Sequence, residues 1–125
     1  MQNDKEKFKN DFYKRLIRFS LEIIKLCKLM REDRNLWPIA DQLIRSSTSV
    51  GANVIEAKSS SSKREYIKFF EIALKSANET KYWLMLVRES STAFASEAER
   101  LLKEANEIAK ILGSGVLTMK GKKKF

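Results

Sequence analysis

One proline and four glycines are all the chain allows itself in 125 residues, and two of those glycines, Gly115 and Gly121, lie near the C-terminus. A fold built on many tight turns needs far more of these residues, because glycine and proline supply the backbone angles that turns require. Long helices joined by short loops are what such a chain can form. The apolar residues agree, recurring at alternating steps of three and four. The first helix is read from about Lys5 to Met30, with Phe12, Leu16, Phe19, Ile23, Leu26 and Met30 in line. The polar stretch Arg31–Asn35 ends it, and Pro38 fits the first turn of the second helix, where a missing N–H costs nothing. That helix reaches about Lys58, with Leu36, Ala40, Leu43, Ser47, Val50 and Val54 on one side.

After the connection Ser59–Ser62, Ser62 and Glu65 form a capping box for the third helix, which runs to about Glu89. Its seam is Tyr66, Phe70, Ala73, Ala77, Thr80, Leu84 and Val87. Ser96 with Glu99 reads as a second capping box opening the fourth helix, which reaches about Met119. Its seam is Ala98, Leu101, Ala105, Ile108, Leu112 and Met119, with Gly115 standing between the last two. Lys120–Phe125 is expected to be a frayed basic tail. The fold class is therefore all-α: a single-domain, antiparallel up-down-up-down four-helix bundle over residues 1–119.

Apolar residues also spread beyond these seams. The first helix adds Tyr13, Ile17, Ile24 and Cys27 on a neighbouring face, and the third adds Ile67, Phe69, Leu74, Trp83 and Met85. These arcs are wider than the stripe a bundle interior needs; generous packing at the bundle edges is one reading, and surface buried between subunits is the expected one.

Composition narrows the chemistry. An apolar fraction of 43% supports a packed core. The absence of histidine removes imidazole acid–base catalysis and histidine-based zinc or di-iron sites. A single cysteine, Cys27, makes no internal disulfide, so a reducing cytoplasm is the expected compartment. The charged N-terminal stretch MQNDKEKFKNDF does not read as a secretory signal, and no apolar run is long enough to span a bilayer. No phosphate-binding glycine loop or nucleophile elbow occurs, so the chain is expected to be no enzyme and to hold no cofactor or metal.

From the second helix into the third the chain reads QLIRSSTSVGANVIEAKSSSSKREYIKFFEIALKSANETKYWL. The run Ser46–Ser49, then Val50, Gly51, Ala52, Asn53, Glu56 and Ala57, carries a resemblance. After the loop it continues through Ser62, Tyr66, Ile67, Phe69, Ile72, Ala73, Glu79, Thr80, Tyr82 and Trp83. This segment resembles the four-helix-bundle proteins encoded in intervening sequences of bacterial 23S ribosomal RNA genes. A related branch is the accessory variability protein of diversity-generating retroelements, which assembles with a reverse transcriptase and its RNA. The C-terminal segment IAKILGSGVLTMKGKKKF, with its ILGS turn and basic tail, is similar to that branch. The resemblance implies a homopentameric barrel without catalytic activity.

Two groups of residues remain as candidate sites. Ser46, Ser49, Asn53 and Glu56 fall on one side of the second helix and are expected to form hydrogen bonds at a helix or subunit contact, with Trp83 as an anchor. The second group is basic. The chain carries 25 Lys and Arg against 16 Asp and Glu, a net charge of +9. Lys7, Lys14, Arg18 and Lys25 lie opposite the core seam of the first helix. Arg64, Lys68 and Lys75 share a face of the third with Tyr82, and Lys120, Lys122, Lys123 and Lys124 follow at the end. A basic stripe with an aligned aromatic suits phosphate contact plus base stacking. Glu71 and Glu79 flank that stripe and could instead pair along the helix, leaving an ordinary solvated face. Five copies at +9 each would attract polyanions strongly. The expected partners are thus a second copy of the chain, a nucleic acid with RNA favoured over DNA, and a reverse transcriptase. A protein-binding scaffold with no nucleic-acid ligand is the alternative.

Overall fold

A computed structural model describes residues 3–121. Four helices follow one another with no strand among the described residues: α1 (Asp4–Met30), α2 (Trp37–Glu56), α3 (Lys63–Ser90) and α4 (Ala95–Gly121). Local chemistry sets most of the ends. The Asn3 side chain accepts from the Glu6 N–H at 2.8 Å and starts α1. Asp33 accepts from the Asn35 N–H in the short 3₁₀ turn Arg34–Leu36, and Pro38 then sits in the first turn of α2. The second helix tightens into a 3₁₀ turn over Ala57–Ser59 before the chain leaves it. At α3 the cap is reciprocal: Ser62 Oγ accepts from the Glu65 N–H at 3.1 Å, and Glu65 accepts from the Ser61 N–H at 3.0 Å.

The start of α4 differs from the expectation. The helix opens at Ala95, one residue before Ser96, and the Ala98 N–H bonds to the Phe94 carbonyl instead of to a serine side chain. Ser96 is an exposed first-turn residue, not a cap. At the other end α4 continues past Met119 to Gly121, so Lys120 is helical and not part of a tail. The Ile111–Ser114 stretch, the ILGS segment, is helix rather than turn. Nothing in this stretch breaks the helix, and a lysine in the last turn suits the negative end of the helix dipole.

Pairs across the seams fix the antiparallel arrangement. Arg45 meets Glu79 while Ser49 meets Ser76, so α2 and α3 run in opposite directions. Arg88 pairs with Glu99, and Lys120 with Glu71, across α3 and α4. Arg15 reaches Glu104 while Glu22 reaches Arg100, across α1 and α4. The seams of α1 and α2 are buried as the periodicity predicts. In α3 and α4 the seam holds through the middle, with Ala73, Ala77, Thr80, Leu84, Leu101, Ala105, Ile108 and Leu112 buried.

It drifts where α3 begins and α4 ends. Ile67 and Val116 are the buried residues there, whereas Tyr66, Phe70 and Met119 are only half-buried. Cys27, read from the sequence as part of an outlying face, is fully buried within its own chain and lies 3.6 Å from the Ala40 carbonyl. Among the described residues no helix is long and apolar enough to cross a membrane.

Candidate nucleic-acid interface

On α3, Arg64, Lys68, Lys75 and Tyr82 are all exposed. A helix rises 1.5 Å per residue, so Arg64 and Lys75 stand roughly 16 Å apart along the axis. Tyr82 packs edge-on against Trp83 with ring centres 5.1 Å apart, and its ring is half-exposed. The flanking carboxylates do not pair along the helix. Glu71 is taken by Lys120 of α4 at 2.5 Å. Glu79 is taken by Arg45 of α2 at 2.9 Å and also accepts from the Trp83 indole N–H at 3.0 Å. Among the described residues, no carboxylate lies within ion-pair distance of Arg64, Lys68 or Lys75.

The pairing of Glu71 with α4 adds a cation that sequence reasoning had placed in a separate tail. Arg64, Lys68, Glu71 and Lys120 line one shallow depression of about 280 Å³ over Ile67. Three cations from two helices therefore share one depression with a carboxylate that pairs, among them, with Lys120. Lys122, Lys123 and Lys124 lie outside the described residues.

The basic residues of α1 sit in different company. Lys7, Lys14, Arg18 and Lys25 are exposed, as their spacing predicts. Lys25, however, lies 3.7 Å from Glu22, and Arg18 borders a depression shared with Glu22, Arg100, Glu104 and Glu107. In that network Arg15 grips Glu104 with two bonds of 2.7 and 2.8 Å. Arg100 bridges Glu22 and Glu97, and its hydrogen bonds hold the Glu97 carboxyl below its usual range. This half of α4 presents a mixed surface, and the helix end at Lys120 presents a basic one. The structure does not merge the two basic groups into one stripe.

The hydroxyl cluster of α2 faces α3. Ser46 is buried and its hydroxyl lies 3.0 Å from that of Thr80. Ser49 and Ser76 share a hydrogen bond of 2.9 Å, and Asn53 donates to the Ser49 carbonyl at 2.8 Å. Glu56 is exposed and stands apart from this chain of bonds. Thr80 and Ser76, the α3 half of the contact, escaped attention as polar partners. The signal for them was present: small and hydroxyl residues at 73, 76, 77 and 80 on one helix face. Trp83 is half-buried against the core, while Trp37 is exposed and donates its indole N–H to the Arg31 carbonyl at 2.7 Å.

Apolar surface is left over on the outside of the bundle. Ile17, Leu21 and Ile24 of α1 are exposed at helical spacing. Ile55 of α2 lines a groove of about 270 Å³ together with Ile17 and Leu21, and Gly51 and Ala52 line it too.

Comparison with known proteins places this architecture. No curated protein matches the chain. Among solved structures, a similar one is a protein of unknown function from the S23 ribosomal protein family of Bacteroides thetaiotaomicron. It shares 33% identity, covers 83% of this chain and 96% of that one, and superposes with a TM-score of 0.78. Residues 9–114, which take in α2, α3, the hydroxyl cluster and most of α1 and α4, match the family described as 23S rRNA-intervening sequence protein. The chain belongs to that family.

Proposed function

We propose that this protein is a non-catalytic, oligomeric four-helix bundle that binds nucleic acid through its phosphates, RNA in preference to DNA, without strong sequence specificity. The observation that carries the reading is the depression that Arg64, Lys68 and Lys120 line together with Glu71, continued along α3 by Lys75 and the exposed ring of Tyr82. Cations at this spacing suit successive phosphates, and an exposed tyrosine ring suits stacking of an unpaired base on its face. Among the described residues no recognition helix, zinc finger or RNA-binding sheet occurs, so sequence preference is expected to be weak.

The leftover apolar stripe Ile17, Leu21 and Ile24 supports self-association, for which the family resemblance suggests a homopentamer. In that assembly every basic patch would be repeated around a ring. The resemblance of the C-terminal segment supports a role as accessory factor to a retroelement reverse transcriptase, in the cytoplasm.

Fluorescence anisotropy with a mixed-sequence single-stranded RNA, a structured RNA and a DNA duplex tests the reading. At ~50 mM salt, dissociation constants in the micromolar range or tighter are expected, and the association constant should fall on added salt with a log–log slope of about −0.7 to −0.9 per phosphate contact. Replacing Arg64, Lys68 and Lys75 together by Gln should weaken all ligands alike and flatten the slope. No binding by the wild-type protein to any of the three would overturn the proposal. Self-association is read separately by light scattering, where a monomer at micromolar concentration would remove the assembly and a different small number only the count of five. A protein partner held through the apolar stripe, with no nucleic acid bound, would instead show salt-insensitive binding.

A further inference from the structure

The drift of the seam where α3 begins and α4 ends has a consequence for binding. Gly115 occupies the position between Leu112 and Met119 where a large apolar side chain would close the bundle, and a Cβ added there meets no atom within 4 Å. Beside it lies a cavity of about 710 Å³ that is open to solvent on one side. That is the size of sites that hold small organic ligands. Its walls are aromatic pairs from two helices: Phe8 with Phe12, ring centres 6.4 Å apart, and Tyr66 with Phe70, 4.9 Å apart. Phe8 is 60% exposed at the mouth. Three lysines, Lys5, Lys9 and Lys110, also line the cavity, and among the described residues no carboxylate does. One carboxylate is near, Glu107, at 3.8 Å from the Lys110 ammonium along α4.

We propose that this cavity binds a free single-chain anionic amphiphile, a medium- or long-chain carboxylate, with the hydrocarbon chain between the aromatic walls and the head group at Lys5, Lys9 and Lys110. The walls supply what a hydrocarbon chain needs, since filling them removes apolar surface from water on both partners. The lysines supply the sign of the head group. Their long stems let the ammonium groups reach an anion at the rim while staying hydrated. A neutral lipid would leave that charge unused, and a cationic one would be repelled. The site is separate from the α3 stripe and does not depend on nucleic-acid binding.

Calorimetric titration of the full-length protein with sodium laurate, below its micelle concentration and without nucleic acid, tests the proposal. Saturable binding in the micromolar range with a negative heat-capacity change is expected. Gly115→Leu starts from a Cβ that meets no atom within 4 Å, narrows the cavity at its wall, and replaces glycine by a better helix former. It should weaken laurate roughly tenfold or more while leaving the melting temperature unchanged or higher. Thr118→Phe, from the same wall, gives a second plug should the first variant fold poorly. Lys9→Gln with Lys110→Gln should weaken laurate several-fold and leave 1-decanol unaffected.

The proposal is overturned by wild-type protein that takes up no laurate, including because a second copy covers the mouth. It is equally overturned if both plugged variants bind laurate as the wild type does. Equal affinity for laurate and dodecyltrimethylammonium would also sink it, as would binding to phosphatidylglycerol vesicles without binding to free laurate. Arg64, Lys68 and Lys75 replaced by Gln should leave the laurate titration unchanged, so failure here and failure of the nucleic-acid reading are told apart.

Discussion

The hydroxyls of Thr80 and Ser46 lie 3.0 Å apart in the interior of the α2–α3 seam, both fully buried, although 34 positions separate them in the sequence. Thr80 Oγ1 also lies 2.8 Å from the Ser76 carbonyl, one turn back on its own helix. Polar groups withdrawn from water in this way are tolerated because each finds a partner, and small ones let the two helices approach closely.

Thr80→Val keeps the shape of the side chain and removes its hydroxyl, leaving Ser46 with only a 3.4 Å contact to the Leu43 carbonyl. A loss of about 1–2 kcal/mol is expected from urea unfolding. The double variant Ser46→Ala, Thr80→Val should cost less than the sum of the two single changes, since it leaves no orphaned group. Strict additivity would mean that the two hydroxyls do not act together.

Gly51 lies inside α2 where a Cβ would meet Leu16 Cβ at 3.6 Å, an ordinary contact. Gly51→Ala should therefore fit and raise stability by about 0.5–1 kcal/mol, by lowering the freedom of the unfolded chain and improving helix propensity. A lower melting temperature would show that the α1–α2 contact is tighter than this distance implies.

Burial pushes the Cys27 thiol up from its ordinary value of 9.0 to about 11, although Arg31 nearby acts in the opposite direction. The neutral thiol is favoured in the folded state, so its contribution to stability is complete below about pH 9 and is lost as pH rises toward 11. Denaturation midpoints followed from pH 8 to 11 should fall over that window, and less so in Cys27→Ala. At pH 8 the native thiol should react with a thiol reagent far more slowly than in denatured protein, because the reactive thiolate is both scarce and enclosed.

Glu71 is the one carboxylate in the cluster of Arg64, Lys68 and Lys120. If that cluster meets phosphate, Glu71→Gln removes a repulsive charge and releases Lys120. RNA affinity should rise roughly two- to fivefold at low salt, with a salt slope steeper by up to one contact. The same change should move stability little, since half-exposed ion pairs contribute at most about 1 kcal/mol. Unchanged affinity would place the phosphate path elsewhere on the surface.

Helical periodicity is a property of each segment alone, and so the chain carried it plainly. The lines Phe12–Met30 and Leu36–Val54 announced the buried faces of α1 and α2, and Ser62 with Glu65 announced the start of α3. Ser96 with Glu99 carried the same local signal and did not become a cap, because Phe94 and Ala95 had already begun the helix and Ala98 found a backbone partner. The family, too, was legible, since the run from Ser46 to Trp83 is specific in its order.

Relations between helices were not written in any one segment. Lys120 and Glu71 meet only because α4 runs antiparallel to α3 at one particular axial register, and that same register gathers Lys120 with Arg64 and Lys68. Ile67 and Val116 replace Tyr66 and Met119 as the buried residues, because the interior narrows or opens according to all four helices at once. Periodicity shows which face of a helix turns inward. How far the neighbouring helix stands off, and which residue it brings opposite, depends on side chains distant in sequence, and that is why the cavity at Gly115 and the cluster at Glu71 were decided by tertiary structure alone.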